Sequence, residues 1–377
     1  MTGRSPRRWR AAVVVPLVLV LTACADKAPL DTLDPQGPEA RSIDKLVNPV
    51  FAIAGVVFLL VQFGVLFLVV KFRKRKDDDG SLPPQVHGNF KLEIGWTILP
   101  ALVLAGVGAG SVFTLLDLAD APKDAQEITV VGQQWWWEYR YDVDHDGTAD
   151  IVTANDMVIP AGEPINLTIT SRDVIHSFWI PALNGKRDAV PGREHPLTIE
   201  ADEPGVYRGQ CTEFCGLSHG YMRMRVVALA PDDYAAWQAN QVEGAQAPTD
   251  ALAKTGMDQF RTSCSGCHLV DGPGGNEDLY KGTAQVSGAA PNLTHFASRG
   301  VFAGSIFDLW VDQDGNGEIE PSEIGADGQF NVADLKKWLR DPPGQKPMYP
   351  QGSRGMPNLN LSEQQIDALV AYLKTLE

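Results

Sequence analysis

"GQCTEFCGLSHGYM", residues 209–222, brings two cysteines, a glutamate, a histidine and a methionine into one short loop. A single-copper electron-transfer loop needs one thiolate, with imidazole and a weakly bound methionine around it. Cys211 and Cys215, with His219 and Met222 behind them, offer four donors, so a second imidazole must come from elsewhere. His176, in "DVIHSFWIP" after the strand-like "INLTIT", is the candidate. Two thiolates can bridge two copper ions, so that one electron is shared by both metals. Sharing changes each bond length less, and small rearrangement means fast transfer at low driving force. The second cysteine therefore reads as the mark of a two-copper site, with a Cys211–Cys215 disulfide as the competing reading.

The loop lies in a stretch of short runs rich in β-branched and aromatic residues, among them "EITVVG", "WWWEYRY", "DMVIP" and "MRMRVVALA". Turn residues separate these runs at fairly regular spacing, which predicts an all-β sandwich or barrel over 120–240. The small-residue stretch 241–251 reads as a linker. From 252 to 377 the apolar spacing is helical in "LAKTGMDQFRTS", "VADLKKWLR" and "SEQQIDALVAYLKTL", the last with Ser362 as N-cap.

Upstream, "MTGRSPRRWR" is basic and the apolar run after it is too short for a ~30 Å bilayer core, so 1–23 reads as a secretory signal. Its end, "LTAC", resembles a bacterial lipoprotein signal, which implies acylation of Cys24. After an extracytoplasmic segment, 24–47, the uncharged runs Val50 to Val70 and Ile94 to Leu116 predict two spans within 48–119. The basic "KFRKRK" between them places that loop in the cytoplasm and everything after Leu116 outside it. The expected architecture is a multidomain membrane protein: a two-helix transmembrane hairpin, an all-β domain and an all-α domain.

Of five cysteines, Cys24 belongs to the signal region and two belong to the opening loop. The last two stand in "CSGCH", where Cys264, Cys267 and His268 form the c-type haem attachment pattern. Two thiols can reach the two vinyl groups while the adjacent imidazole meets the iron. Met356, just ahead of the terminal helix, is the first choice for the opposite ligand, with Met348 and then His295 behind it. A His/Met pair raises the haem potential, as an electron carrier needs. The formal net charge of -15 argues against a nucleic-acid partner and for a basic protein partner.

With these motifs in this order, the chain resembles subunit II of the haem–copper cytochrome c oxidases, in the variety carrying a C-terminal cytochrome c domain. "EIGWTILPA", "GQQWWWEYRY", "DVIHSFWIPAL", "APNLTHFASRG" and "MPNLNLSEQQIDALVAYL" carry the resemblance beside the two metal motifs. It implies a cupredoxin barrel holding the dinuclear CuA centre. Cys211 and Cys215 would bridge, His176 and His219 would supply imidazoles, and Met222 and the Glu213 carbonyl would be weak ligands. The Glu213 side chain would reach a magnesium ion shared with subunit I. Trp135 matches the tryptophan that receives electrons from cytochrome c, and Glu93 matches an acidic residue at the mouth of a proton path.

The implied role is to pass electrons from haem c through CuA to subunit I, where oxygen is reduced with proton translocation. Implied partners are subunits I and III and, as donor, cytochrome c or a quinol–cytochrome c reductase, at a bacterial cytoplasmic membrane. The copper subunit of a nitric oxide reductase is the alternative, and a membrane-anchored copper-binding protein a more distant one. Independently of the resemblance, "DQDGNGEIEPSE" fits a calcium loop, with Asp312, Asp314, Asn316, Glu318 and Glu323 as candidates. "DVDHDG" repeats that opening with Asp142, Asp144 and Asp146, but Thr153 stands where the bidentate glutamate belongs.

Overall fold

The computed structural model describes residues 28–73, 85, 87–272, 290–326, 328–349 and 354–377. The signal segment 1–23, Cys24 and most of the basic loop lie outside them. Helices α1 (Pro38–Lys71) and α2 (Phe90–Leu118) are long and apolar enough to cross a membrane, and their apolar side chains are exposed along both lengths. Pro38 at the first turn, Glu39 beside it and Lys71 at the end suit the helix dipole. Asn89 caps α2 by accepting from the Leu92 amide, while Glu93 accepts from the Asn89 amide at 3.1 Å. Helix α1 starts at Pro38 instead of 48, because its first turn is polar and docks on the β domain. There the Ala40 amide donates to the Leu183 carbonyl (3.1 Å) and Arg41 pairs with Asp202.

The β domain runs from β1 (Gln126–Gln133) to β10 (Arg223–Leu229). One sheet has the order β3-β2-β1-β5-β8, from Ile151–Ala154, Trp136–Tyr141, β1, Ile165–Ser171 and His195–Ile199. A second has the order β4-β10-β9, with β4 at Asp156–Pro160 and β9 at Gly205–Gln210; β6 (His176–Phe178) pairs with β7 (Arg187–Ala189). Strand β5 alternates buried and half-buried residues, the signature of one face turned to a core. Ile128, Val130, Trp137, Tyr139, Leu167, Ile169 and Met224 fill that core. Helix α3 (Pro231–Gln241) lays Tyr234 and Trp237 on the second sheet.

In the helical domain, α4 (Ala251–Ser263) crosses α7 (Glu363–Leu373), with Phe260 and Tyr372 5.5 Å apart at the crossing. Gly256 lets the backbones meet, since a Cβ there would collide with the Ala368 carbonyl. Ser362 caps α7 in a reciprocal capping box with Gln365. Helices α5 (Val332–Arg340) and α6 (Pro342–Gln345) and a small hairpin, β11 (Val301–Phe302) with β12 (Phe307–Asp308), complete the described part.

The two domains meet around a buried ion pair. Arg225 of β10 grips Asp156 of β4 with two 2.9 Å bonds, and both side chains are nearly sealed. The same pair reaches the helical domain: Asp156 accepts from the Gly300 amide (2.8 Å), and Arg225 donates to the Ile319 carbonyl (3.1 Å). Arg208 of β9 bonds Glu318 and the Gly317 carbonyl nearby. Replacing Asp156 by alanine strands the guanidinium between the domains and should cost about 3–5 kcal/mol. Thermal unfolding of the full chain should show this as a lowered midpoint, partly restored in the Asp156→Ala/Arg225→Met double variant.

Candidate metal and haem site

The loop 211–222 joins β9 to β10 and is closed at its neck by the Cys211 amide donating to the Met222 carbonyl (3.0 Å). The Thr212 amide donates to the Ser177 carbonyl (3.0 Å), which fixes the loop beside β6 and His176. Gly216, at φ +115°, turns the chain back after Cys215, and a Cβ there would meet Tyr349 Oη at 2.7 Å.

The loop brings the expected donors together. Cys211 Sγ and Cys215 Sγ stand 3.9 Å apart, unbonded. His176 Nδ1 is 4.0 Å from Cys211 Sγ, His219 Nδ1 is 3.5 Å from Cys215 Sγ, and Met222 Sδ is 3.8 Å from Cys215 Sγ. The Glu213 carbonyl lies 3.3 Å from Cys211 Sγ, while the Glu213 side chain is exposed. Both cysteines, His176 and Met222 are buried. Two soft sulfurs, two imidazoles, a thioether and a carbonyl around one dry point fit copper.

The electrostatics agree with that fit. Cys211 is held far below the usual thiol range because Cys215 donates to it; burial opposes this, and His176 and nearby amides assist. Cys215 is driven up by the same shared proton. Burial disfavours charge on His176, but Asp173 and Cys211 outweigh it and the pKa rises.

Asp173 is the residue that sequence reading missed. Its carboxylate stands 2.9 Å from His176 Nε2, which leaves Nδ1 for a metal. Burial alone would raise its pKa; the bond from His176 and the Gln134 and Val174 amides reverse this and lower it. The acid three residues before the histidine was the available signal. Asp173 also pairs with Arg354 of the helical domain at 3.3 Å.

Trp135 is buried against the same loop, its indole N–H donating to the Cys215 carbonyl at 3.1 Å. Trp137 differs from it, packing into the β core against Phe178, while Trp135 packs on Tyr349 of the helical domain at 5.3 Å. Trp135 also lines a large cavity in the helical domain, together with Trp136, Cys264, Cys267, His268 and Met356.

That cavity suits a covalently held haem. His268 Nδ1 bonds the Pro291 carbonyl at 2.8 Å, which leaves Nε2 as the ligand atom, and burial pushes the ring's pKa down. Met356 lines the cavity and Met348 is absent from its lining. His295 turns both ring nitrogens to carbonyls, Glu377 (2.7 Å) and Glu243 (2.8 Å), so it bridges the chain end to the linker. Arg299 also lines the cavity; burial pushes it down to about 10, and while its Nη2 donates to the Asn292 carbonyl, its Nε has no partner among the described residues. Such a cation fits a prosthetic group that brings its own carboxylates.

Each acidic loop gathers three carboxylates, while the candidate Glu318 does not join its loop's cluster. Asp312, Asp314 and Glu323 bring their oxygens together, as do Asp142, Asp144 and Asp146. Asn316 donates to Asp314 at 3.0 Å. The Glu318 carboxylate turns away to Arg208, and Thr153 is buried in β3. Glu93 is exposed in the first turn of α2.

Comparison with known proteins matches residues 27–113 to the family "Cytochrome C oxidase subunit II, transmembrane domain" and 126–229 to its "periplasmic domain". Residues 253–377 match "Cytochrome c". Cytochrome c oxidase subunit 2 of Alkalihalophilus pseudofirmus is 34% identical over 96% of this chain and 95% of its own length. The same subunit of Bacillus sp. (strain PS3) is 33% identical over 98% of each chain. The crystallised periplasmic domain of subunit II (CoxB) of Bradyrhizobium japonicum is 30% identical over 32% of this chain and 96% of its own, with a TM-score of 0.30.

Replacing Asp173 by asparagine keeps the shape but removes the charge that orients His176. Copper affinity should fall about 10–100-fold, measured by competition with a chelator of known strength.

Proposed function

The chain belongs to the cytochrome c oxidase subunit II family, and on that premise we propose that it receives electrons in its helical domain and hands them, through Trp135 and the copper loop, to subunit I. The chain is thus part of an oxidoreductase complex and associates with subunit I at a membrane. Cys211 and Cys215 would hold a copper pair that would supply a one-electron site of low rearrangement, and Cys264 and Cys267 would hold a haem that would supply a second.

One observation carries the proposal: Trp135 touches both sites, lining the haem cavity with its body and bonding a copper-ligand carbonyl with its N–H. His176, His219, Met222 and the Glu213 carbonyl complete the copper set, and His268 with Met356 the haem set. Trp135 is covered by Tyr349 and lines the cavity of the helical domain, so a haem held on Cys264 and Cys267 would be its nearest donor. An external donor, cytochrome c or a quinol-oxidising complex, then meets the helical domain first. Exposed Phe214 and Leu217 on the copper loop offer an apolar rim for subunit I, and the exposed Glu213 carboxylate a magnesium ligand shared with it.

The remaining parts of the reading concern the membrane. Oxygen is reduced in subunit I, with proton translocation, and subunit III completes the assembly at a bacterial cytoplasmic membrane spanned by α1 and α2. Glu93, at the start of α2, stands at the mouth of a proton path into subunit I. Cys24, after removal of 1–23, carries the lipid. Asp312, Asp314, Asn316 and Glu323 would hold a calcium ion, which would steady a loop that leans on Arg208.

Two measurements test these statements. In the assembled oxidase, Trp135→Leu should slow copper reduction by the chain's haem about 10–100-fold while both absorption spectra stay unchanged; an unaltered rate refutes the path. Chelating calcium should lower the unfolding temperature of the helical domain, and an identical melting profile removes calcium from the reading.

A further inference from the structure

The contact between the two redox sites contains a cation with no acidic partner among the described residues. Lys346 follows α6 in the helical domain and is half-buried; burial pushes its pKa down to about 7, with Cys215 opposing the shift. Its ammonium donates to the Trp135 carbonyl in the β domain and to the Ala303 carbonyl (2.9 Å) in its own. It lines the haem cavity beside Trp135 and Gly304. The space around it is fully used: a Cβ on Gly304 would collide with this ammonium and crowd the Trp135 carbonyl.

Neighbouring contacts lead to the same seam. Ser218, inside the copper loop, donates to the Pro347 carbonyl at 2.5 Å, and the Arg223 amide donates to the Gly304 carbonyl at 3.0 Å. Tyr349 lies on the Trp135 ring. These hold the surfaces together but carry no charge. Among the described residues, Lys346 is the charged side chain that binds the Trp135 backbone while lining the haem cavity. A charged donor left between two carbonyls is worth more than a neutral one, and burial makes it costly to misplace.

We propose that Lys346 is the positioning residue for electron passage from the haem to the copper site, clamping Trp135 to the haem cavity and setting a positive charge beside it. The inference rests on the proposed path through Trp135. Transfer depends steeply on geometry, so loosening the clamp slows it even if both cofactors stay bound. In its protonated form the amine would favour the reduced form of a haem held in this cavity, so removing it should lower the haem midpoint potential. A residue that merely filled space would leave the potential alone.

The test uses the full chain in the assembled oxidase with Lys346→Met, Lys346→Gln and Lys346→Arg. Electrons are injected into the haem by a light-driven reductant, copper reduction is followed optically, and the haem potential is titrated separately. Lys346→Met should slow the transfer about 10–100-fold and lower the potential. Lys346→Gln, which retains N–H donors without charge, should lower the potential while losing less of the rate. Lys346→Arg should restore most of both. A wild-type rate and potential in Lys346→Met overturn the proposal. If Lys346→Met does not assemble, an unshifted potential in Lys346→Gln overturns it equally. Failure of the unsubstituted complex to pass electrons from haem to copper would instead refute the path itself.

Discussion

Two sulfur atoms 3.9 Å apart in a sealed pocket are the constraint that organises this molecule. At this separation the two thiols share a proton, which holds Cys211 low and drives Cys215 up. Two bare thiolates at that separation would repel strongly in so dry a place, and only cations between them can neutralise both. The β domain answers this need. Strands β9 and β10 hold the loop at its neck, β6 delivers His176, and Asp173 fixes which nitrogen that ring presents.

The second organising feature is the seam between the domains. A bidentate Arg225–Asp156 pair is shielded from water and completed by one backbone group from each of two helical-domain segments, Gly300 and Ile319. Removing water strengthens each contact but makes any lost partner costly, so the docked arrangement is held in one register. Asp173 extends the same logic, serving His176 on one side and Arg354 on the other. The 211–222 loop and the cavity lined by Cys264 and His268 are thus parts of one packed structure, with Trp135 at their junction.

Part of this was legible because groups close in sequence gather locally. The clustering of the 211–222 donors and of the acidic-loop carboxylates follows from spacing, as do Ser362 and α7 from a cap and a helical period. What stayed hidden depends on pairs distant in the chain. Lys346 meets a residue 211 positions away, and Glu318 leaves its acidic loop for Arg208, 110 positions away. His295 resembled a ligand as an isolated imidazole; the carbonyls of Glu377 and Glu243 that claim it come together only in the fold. The tryptophan triplet could not be sorted by alternation, because Trp135 precedes β2 and belongs to the seam.

The central claim is that Cys211 and Cys215 hold two metals as one redox unit. Electron spin resonance of the oxidised complex, with copper counted per chain, tests it most directly. Two coppers in this subunit sharing one unpaired electron, seen as hyperfine splitting from both nuclei, is the predicted result. One copper per chain, or a spin confined to a single nucleus, would contradict it.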